Sequence, residues 1–374
     1  MMALSPQARQ ERDAHDAMLA QADLHQSPFT IAWEVTRACP YRCRHCRAEA
    51  QPRRHPLELT TQEAFHLVDQ IKGFGDPILV VTGGDPMMRP DLFDILAYAS
   101  CRGLRVALTP TTTGRVTARA LACARQAGVQ RIAISIDGPT PEVHDAFRGM
   151  RGSFRTAMHI ALEARQQGLP LQVNTTLTRL NFHLLEAMGE MVAKLEAVQW
   201  SIFFLVPTGR ALLEDMLSPY QHEEAFHRIY ELAQAAPYDV KVTAAPAYRR
   251  VVIQRGGGKG LATVAGAGYR FQDGLHRPSV GVNDGKGFLF ISHVGEVYPS
   301  GFLPLAVGNV RRESIVELYR NAPLMRHLRD PTMLKGRCGR CPYREVCGGS
   351  RARAYALTGD PFAEDPTCIY DPPS

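Results

Sequence analysis

The chain has 374 residues, 45% hydrophobic and 21% charged, enough for one large domain and a smaller one. A net charge of +6 at this length, with no run of Lys or Arg, excludes a nucleic-acid-binding tail and favours anionic partners only slightly. No stretch reaches the ~18 apolar residues of a membrane span, and the polar segment Met1–His25 lacks the apolar centre of a signal peptide, so the expected setting is the cytoplasm, where thiols stay reduced.

From residue 29 onward, strand-like and helix-like segments alternate. The expected strands are Phe29–Thr36, Pro77–Thr82, Leu104–Thr109, Gln130–Asp137, Leu169–Thr176 and Val198–Val206, each a short apolar run suited to burial on both faces. Between them lie amphipathic patterns. The first opens on a Thr60-x-x-Glu63 capping box and continues through Leu67, Ile71 and Phe74. Segments 91–101, 117–127, 152–167 and 182–195 follow. Six strand–helix units predict an α/β fold with a parallel sheet and right-handed crossovers. The pattern fits an open doubly wound sheet or a partly closed barrel. In both, ligands gather at the C-terminal ends of the strands.

After Tyr238 the pattern changes. Arg255-Gly-Gly-Gly-Lys-Gly260 lacks phosphate-loop spacing and is expected to be a mobile loop. Residues 285–299 carry the alternation of a hairpin, and the last forty residues need a staple to hold together. Of nine Cys, seven fall in two groups; Cys101 and Cys123 stand alone on helical patterns and are expected to be buried as small hydrophobes.

The first group is Cys39-x-x-x-Cys43-x-x-Cys46, directly after the first strand. Three thiolates on one short loop reach three irons of a cubane and leave the fourth open to an outside ligand. Zinc held by the three Cys and His45 is the alternative. The full string, Glu34-Val-Thr-Arg-Ala-Cys39-Pro-Tyr-Arg-Cys43-Arg-His-Cys46, resembles the signature loop of the radical S-adenosylmethionine (SAM) superfamily, with His45 in the place of the aromatic residue before the last Cys. Thr82-Gly-Gly-Asp-Pro86 resembles the Gly-Gly-Glu-Pro segment of that family, with Asp85 for Glu.

The resemblance covers about residues 29–235 and implies a partial (β/α)6 TIM-like barrel. It also implies a SAM-binding [4Fe-4S] cluster on Cys39, Cys43 and Cys46. SAM contacts would come from Gly83, Gly84, Asp85 and Pro86, from Ser135 and Asp137, from Arg148 as a carboxylate partner, from Asn174, and from Val206 and Pro207. The chemistry implied is one-electron cleavage of SAM to a 5′-deoxyadenosyl radical that takes a hydrogen atom from substrate.

The second group, Cys338, Cys341, Cys347 and Cys368, suits zinc or a [4Fe-4S] cluster. Its segment resembles the C-terminal SPASM/Twitch extension of radical SAM enzymes, a small Cys-rich iron–sulfur domain. Ser300 and Arg351 stand where a full version has Cys, so the resemblance implies one auxiliary cluster on these four Cys. The domains expected are an N-terminal extension (1–28), a radical SAM core (29–235), a bridging segment (236–284) and an auxiliary-cluster domain (285–374).

Two further strings, Tyr298-Pro-Ser-Gly-Phe-Leu-Pro-Leu305 and Cys347-Gly-Gly-Ser-Arg-Ala-Arg-Ala-Tyr355, resemble the tetrapyrrole-modifying branch, which includes the haem synthase of the alternative pathway and its denitrifier relatives. This implies oxidative decarboxylation, or related modification, of haem-precursor propionates. An anionic tetrapyrrole would be the substrate and flavodoxin or ferredoxin a low-potential electron donor, with no nucleic-acid or membrane partner. Peptide modification is the other enzymatic reading. The basic residues Lys241, Arg249, Arg250, Arg255 and Lys259 could steer carboxylates, and His25 and His293 could ligate a porphyrin iron. No catalytic acid or base is identifiable.

Overall fold

The strands of this protein lie side by side in the order in which the chain makes them. A computed structural model describes residues 23–256 and 281–373. In it β1 (Thr30–Glu34), β2 (Ile78–Thr82), β3 (Arg105–Leu108), β4 (Val129–Ser135), β5 (Leu171–Leu177), β6 (Gln199–Phe204) and β7 (Asp239–Thr243) form consecutive parallel pairs. A doubly wound sheet reverses its strand order at a switch point. Here nothing reverses between β1 and β7, so the winding is that of a partial barrel. On the other side of β1, β8 (Phe288–Ile291) adds a further parallel strand. The short strands β9 (Glu296–Tyr298) and β10 (Gly308–Asn309) then turn back antiparallel. The expected 285–299 hairpin is thus the β8–β9 pair.

Helices cover the outside of this sheet. α1 (Thr61–Lys72) begins with the capping box: Thr60 accepts from the Glu63 amide, and the Glu63 carboxylate accepts from the Thr60 amide at 2.8 Å. α2 (Leu92–Cys101), α3 (Ala118–Gln126), α4 (Pro141–Arg148), α5 (Ser153–Gln166), α6 (Leu185–Lys194), α7 (Pro219–Ala235) and α8 (Tyr248–Arg255) follow. Ile31, Trp33, Leu79 and Val81 pack against Leu67, Ile71 and Ile95 in one core. Ile132, Val173, Trp200 and Ile202 pack against Ile160, Leu185 and Phe226 in another. Full burial of each such side chain is worth about 1.5–3 kcal/mol.

Because side chains alternate along a strand, the residues between these core positions face the barrel interior. That face is polar, contrary to the expectation of strands apolar on both sides. Arg131 donates to Gln199 at 2.9 Å, Gln199 to Ser201 at 2.7 Å, and Gln172 to Asn174 at 2.8 Å. β7 was not among the expected strands, since Asp239-Val-Lys-Val-Thr has only its outward Val residues as an apolar signal. The expected burial of the lone Cys is also corrected. Cys101 is exposed and Cys123 only partly buried, because α2 buries Leu92, Ile95, Leu96 and Ala99, and α3 buries Leu121 and Ala124. Most of the Gly-rich stretch, and Lys259, lie outside the described residues. So does most of the N-terminal extension.

Candidate functional site

The loop after β1 carries the first three Cys and is pinned to the ends of its neighbours. The Gly84 amide donates to Thr36 O at 2.8 Å, the Asp85 amide to Ala38 O at 2.6 Å, and the Cys39 amide to Gln51 O at 2.7 Å. The Tyr41 hydroxyl donates to Thr112 O at 2.6 Å. From the end of β6, Arg210 donates to Cys43 O and Ala50 O, both at 3.1 Å. A Cβ on Gly83 would lie 2.6 Å from Thr36 O, and one on Gly84 2.6 Å from both Arg37 O and Ala38 O. These two glycines therefore let the end of β2 touch the Cys loop itself, a closer reason than access to a ligand.

Cys39 and Cys43 are buried and Cys46 is partly exposed. Burial pushes the Cys39 thiol up to about 11 and also raises Cys43, against the pull of Arg148. Such thiols ionise only with a compensating cation, which cluster iron supplies. N–H groups are already aimed at the sulfurs: the Tyr41 amide is 3.4 Å from Cys39 Sγ and Arg148 Nη1 is 3.9 Å from Cys43 Sγ. Thr111 Oγ1 lies 3.7 Å from Cys39 Sγ while its hydroxyl donates to Gly84 O at 2.6 Å. His45 packs against Phe147 with the rings tilted by 46° and centroids 4.4 Å apart, and burial, with Arg148 beside it, pushes its pKa well down. Its ring is thus a neutral packing element.

The remaining candidate SAM contacts converge on the same end of the barrel. Asp85 is fully buried; its carboxylate accepts from the Met87 amide and from Thr113 Oγ1 at 3.0 Å, and burial raises its pKa to about 6. Pro86 opens the short turn that follows. Ser135 pairs in register with Asn174 across β4 and β5. Asp137 Oδ1 accepts from the Thr176 amide at 2.8 Å, and its Oδ2 lies 2.6 Å from Arg148 Nη2. Arg148 thus has a carboxylate partner inside the protein. Val206 is buried at the end of β6 with Pro207 beside it, and Gly209 turns with φ of 61° over the carbonyls of Cys46 and Arg47. Arg210, in the same segment as Val206 and Pro207, holds the Cys loop by its carbonyls, a role its place in the sequence did not announce.

In the C-terminal segment, the helix Gly336–Arg340, the turn that follows it and the last loop bring Cys338, Cys341, Cys347 and Cys368 to line one cavity with Arg250 and Arg337. Burial pushes Cys347 up to about 12 and raises Cys338 and Cys368. The Gly349 amide donates to Cys347 Sγ at 3.3 Å and the Asp365 amide to Cys338 Sγ at 3.4 Å. Arg351 is buried, donates to the carbonyls of Gly349, Pro361 and Ala363 and lies 3.7 Å from Cys338 Sγ. Ser300 is buried and accepts from the Phe302 amide. No three His, Cys, Asp or Glu side chains among the described residues group closely enough for a single ion. A cubane takes one thiolate per iron and asks for a wider set.

The basic segment does not present a row of free cations. Arg249 donates to Val346 O and Val282 O, and Arg250 is buried against Glu223 and Gln254 beneath the Tyr370 ring. Arg255 pairs with Glu231. His293 is buried with Nδ1 2.9 Å from Glu34, whereas His25 is exposed.

Residues 33–192 match the Radical SAM superfamily. An AdoMet-dependent heme synthase of Methanosarcina barkeri is 42% identical over 92% of this chain and 97% of its own length. That of Nitratidesulfovibrio vulgaris is 42% identical over 91% of this chain and 92% of its own. Among solved structures, SuiB of Streptococcus suis bound to its precursor peptide SuiA superposes with a TM-score of 0.70, covering 99% of this chain and 82% of that one at 13% identity, a likeness of fold alone.

Proposed function

The chain belongs to the radical SAM superfamily, and on that premise we propose that it oxidatively decarboxylates propionate side chains of a tetrapyrrole, leaving vinyl groups. The observation that carries this is the near full-length similarity, at 42% identity, to AdoMet-dependent heme synthases. Per side chain the conversion removes one hydrogen atom, one carbon dioxide and one electron. Peptide modification is supported by the fold likeness to SuiB and by more distant relatives such as a PqqA peptide cyclase of Rhodopseudomonas palustris, 27% identical over 92% of this chain.

Cys39, Cys43 and Cys46 would hold the SAM-binding [4Fe-4S] cluster, which with SAM supplies the one-electron cleavage that makes hydrogen abstraction possible. Gly83, Gly84, Asp85, Pro86, Ser135, Asn174, Val206 and Pro207 would contact SAM at the strand ends. Asp137 and Arg148 position Cys43 from behind, since each is the other's charge partner. Cys338, Cys341, Cys347 and Cys368 would hold a second cluster whose full thiolate ligation suits electron acceptance. We divide the chain into the SAM core (29–235), the auxiliary domain (285–374), a bridge (236–284) and an N-terminal extension (1–28). The setting is the cytoplasm, with flavodoxin or ferredoxin as electron donor and no nucleic-acid or membrane partner. No helix among the described residues is long and apolar enough to cross a membrane.

The test is anaerobic turnover of the iron-reconstituted protein with SAM, dithionite and an iron porphyrin bearing four propionates. The expected result is released carbon dioxide and a product lighter by one carboxyl group and one hydrogen per event. SAM cleavage with unchanged porphyrin mass overturns the reading.

A further inference from the structure

Glu34 ends β1, fully buried, and its carboxylate gathers three partners. Oε1 accepts from Arg37 Nε at 3.2 Å and lies 2.9 Å from His293 Nδ1; Oε2 accepts from Arg47 Nη2 at 3.1 Å. Burial pushes the Glu34 pKa up, but His293, Arg47 and Arg37 more than offset it, so the group is an anion. One carboxylate thus orients two guanidinium groups whose side chains remain 36% and 21% exposed for Arg37 and Arg47. A second carboxylate nearby, Glu296, takes the Tyr298 hydroxyl at 2.7 Å. A guanidinium held on one edge keeps donors on the other for a second carboxylate.

The same corner is faced with aromatic rings. Arg47 lies 4.4 Å over the Phe290 ring, and Phe290 is 6.1 Å from Tyr298. A Cβ on Gly301 would come within 3.2 Å of Arg47 Cδ and Nε, so the bare backbone at Gly301 makes room for this side chain. The next residue, Phe302, reaches Phe203 on the inward face of β6, centroids 6.4 Å apart. The Tyr298–Leu305 string therefore joins the arginine corner to the opposite side of the barrel mouth.

We propose that Arg37 and Arg47, oriented by Glu34, are the subsite that grips a propionate carboxylate of the substrate, with Phe203 and Phe302 flanking the macrocycle. This rests on the tetrapyrrole reading above. It assigns anion recognition to the β1–β8 corner of the barrel rather than to the basic segment at 241–259.

The test is equilibrium binding to the reconstituted protein, read from the Soret band, of an iron porphyrin bearing propionates and of its methyl-ester form. SAM affinity and iron content are measured in parallel. Arg37→Gln and Arg47→Gln should each weaken binding of the acid form about tenfold, the loss of one charge-assisted hydrogen bond. Arg47→Lys should recover part of that loss, and the ester should bind weakly to all variants alike. Arg37 is the more exposed of the two and is not adjacent to a Cys, so its variant serves if Arg47→Gln loses iron. The inference is overturned if wild type and Arg37→Gln bind the acid equally, or if the variants lose SAM affinity instead, which would place the carboxylate of SAM on these arginines. Failure of wild type to bind any porphyrin overturns the tetrapyrrole reading and this inference with it.

Discussion

The loop of Cys39, Cys43 and Cys46 is tied down by its own backbone, through amide–carbonyl bonds to Gly84 and Asp85 at the end of the sheet and to Gln51 further along the loop. The segment of Cys338, Cys341, Cys347 and Cys368 pairs with no strand among the described residues, and guanidinium groups take the place of ladders. Arg351 gathers three carbonyls, Arg337 binds Glu364 and Cys368 O, and Arg353 reaches Leu205 O and Ala244 O. The first loop is therefore framed by the barrel whether or not metal is bound. The second depends on a few buried charges and on whatever its thiols hold, as small metal-stapled segments do.

The largest effect that would break this contrast comes from Arg351. Arg351→Leu removes the donor from the partly buried carbonyls of Pro361 and Ala363, while Gly349 O keeps Asn283; each carbonyl left unpaired costs up to about 1–3 kcal/mol. We expect the C-terminal segment to open locally, with fast hydrogen exchange over residues 336–368 and loss of its share of iron, while reductive SAM cleavage continues. Undiminished iron and protection would mean that this segment holds itself together without its arginine.

A smaller effect is expected in the other region. Gly84→Ala places a methyl 2.6 Å from two carbonyl oxygens of the Cys loop. Overpacking of this kind costs about 1–3 kcal/mol. Because the obstruction is backbone, the loop must shift. SAM cleavage should fall with the second region intact, as iron counting and hydrogen exchange would report. Normal SAM cleavage would show that the frame of the first loop is softer than its hydrogen bonds suggest.

The two regions were also unequally legible in the sequence. The first six strands were readable to within two residues or so because Ile-Leu-Val-Val and similar runs leave little alternative. β7 was not, because its five residues offer only Val240 and Val242 as apolar signal, whereas the equally alternating β5 runs seven residues with Leu171, Val173 and Leu177. The pairing of β8 with β1 joins residues more than 250 positions apart, which no local pattern reports. The cysteine groups stood out by spacing. Their supports did not, since an arginine reads the same whether it faces solvent or a buried carbonyl: Arg249 and Arg250 looked like a basic surface and are internal ties. Arg148 looked like a partner for a ligand carboxylate, and the structure gives it Asp137.

The central claim is that the two cysteine regions perform separate tasks, one with SAM and one with the electron that substrate oxidation releases. The most direct measurement compares Cys338→Ala/Cys341→Ala with Cys39→Ala/Cys43→Ala/Cys46→Ala, each reconstituted anaerobically and assayed for iron, 5′-deoxyadenosine and porphyrin product. The account predicts that the first variant keeps about four irons and still cleaves SAM but yields no vinyl product, and that the second cleaves no SAM at all. Full product formation by a folded protein lacking the second cluster, or SAM cleavage by one lacking the first three Cys, would contradict it.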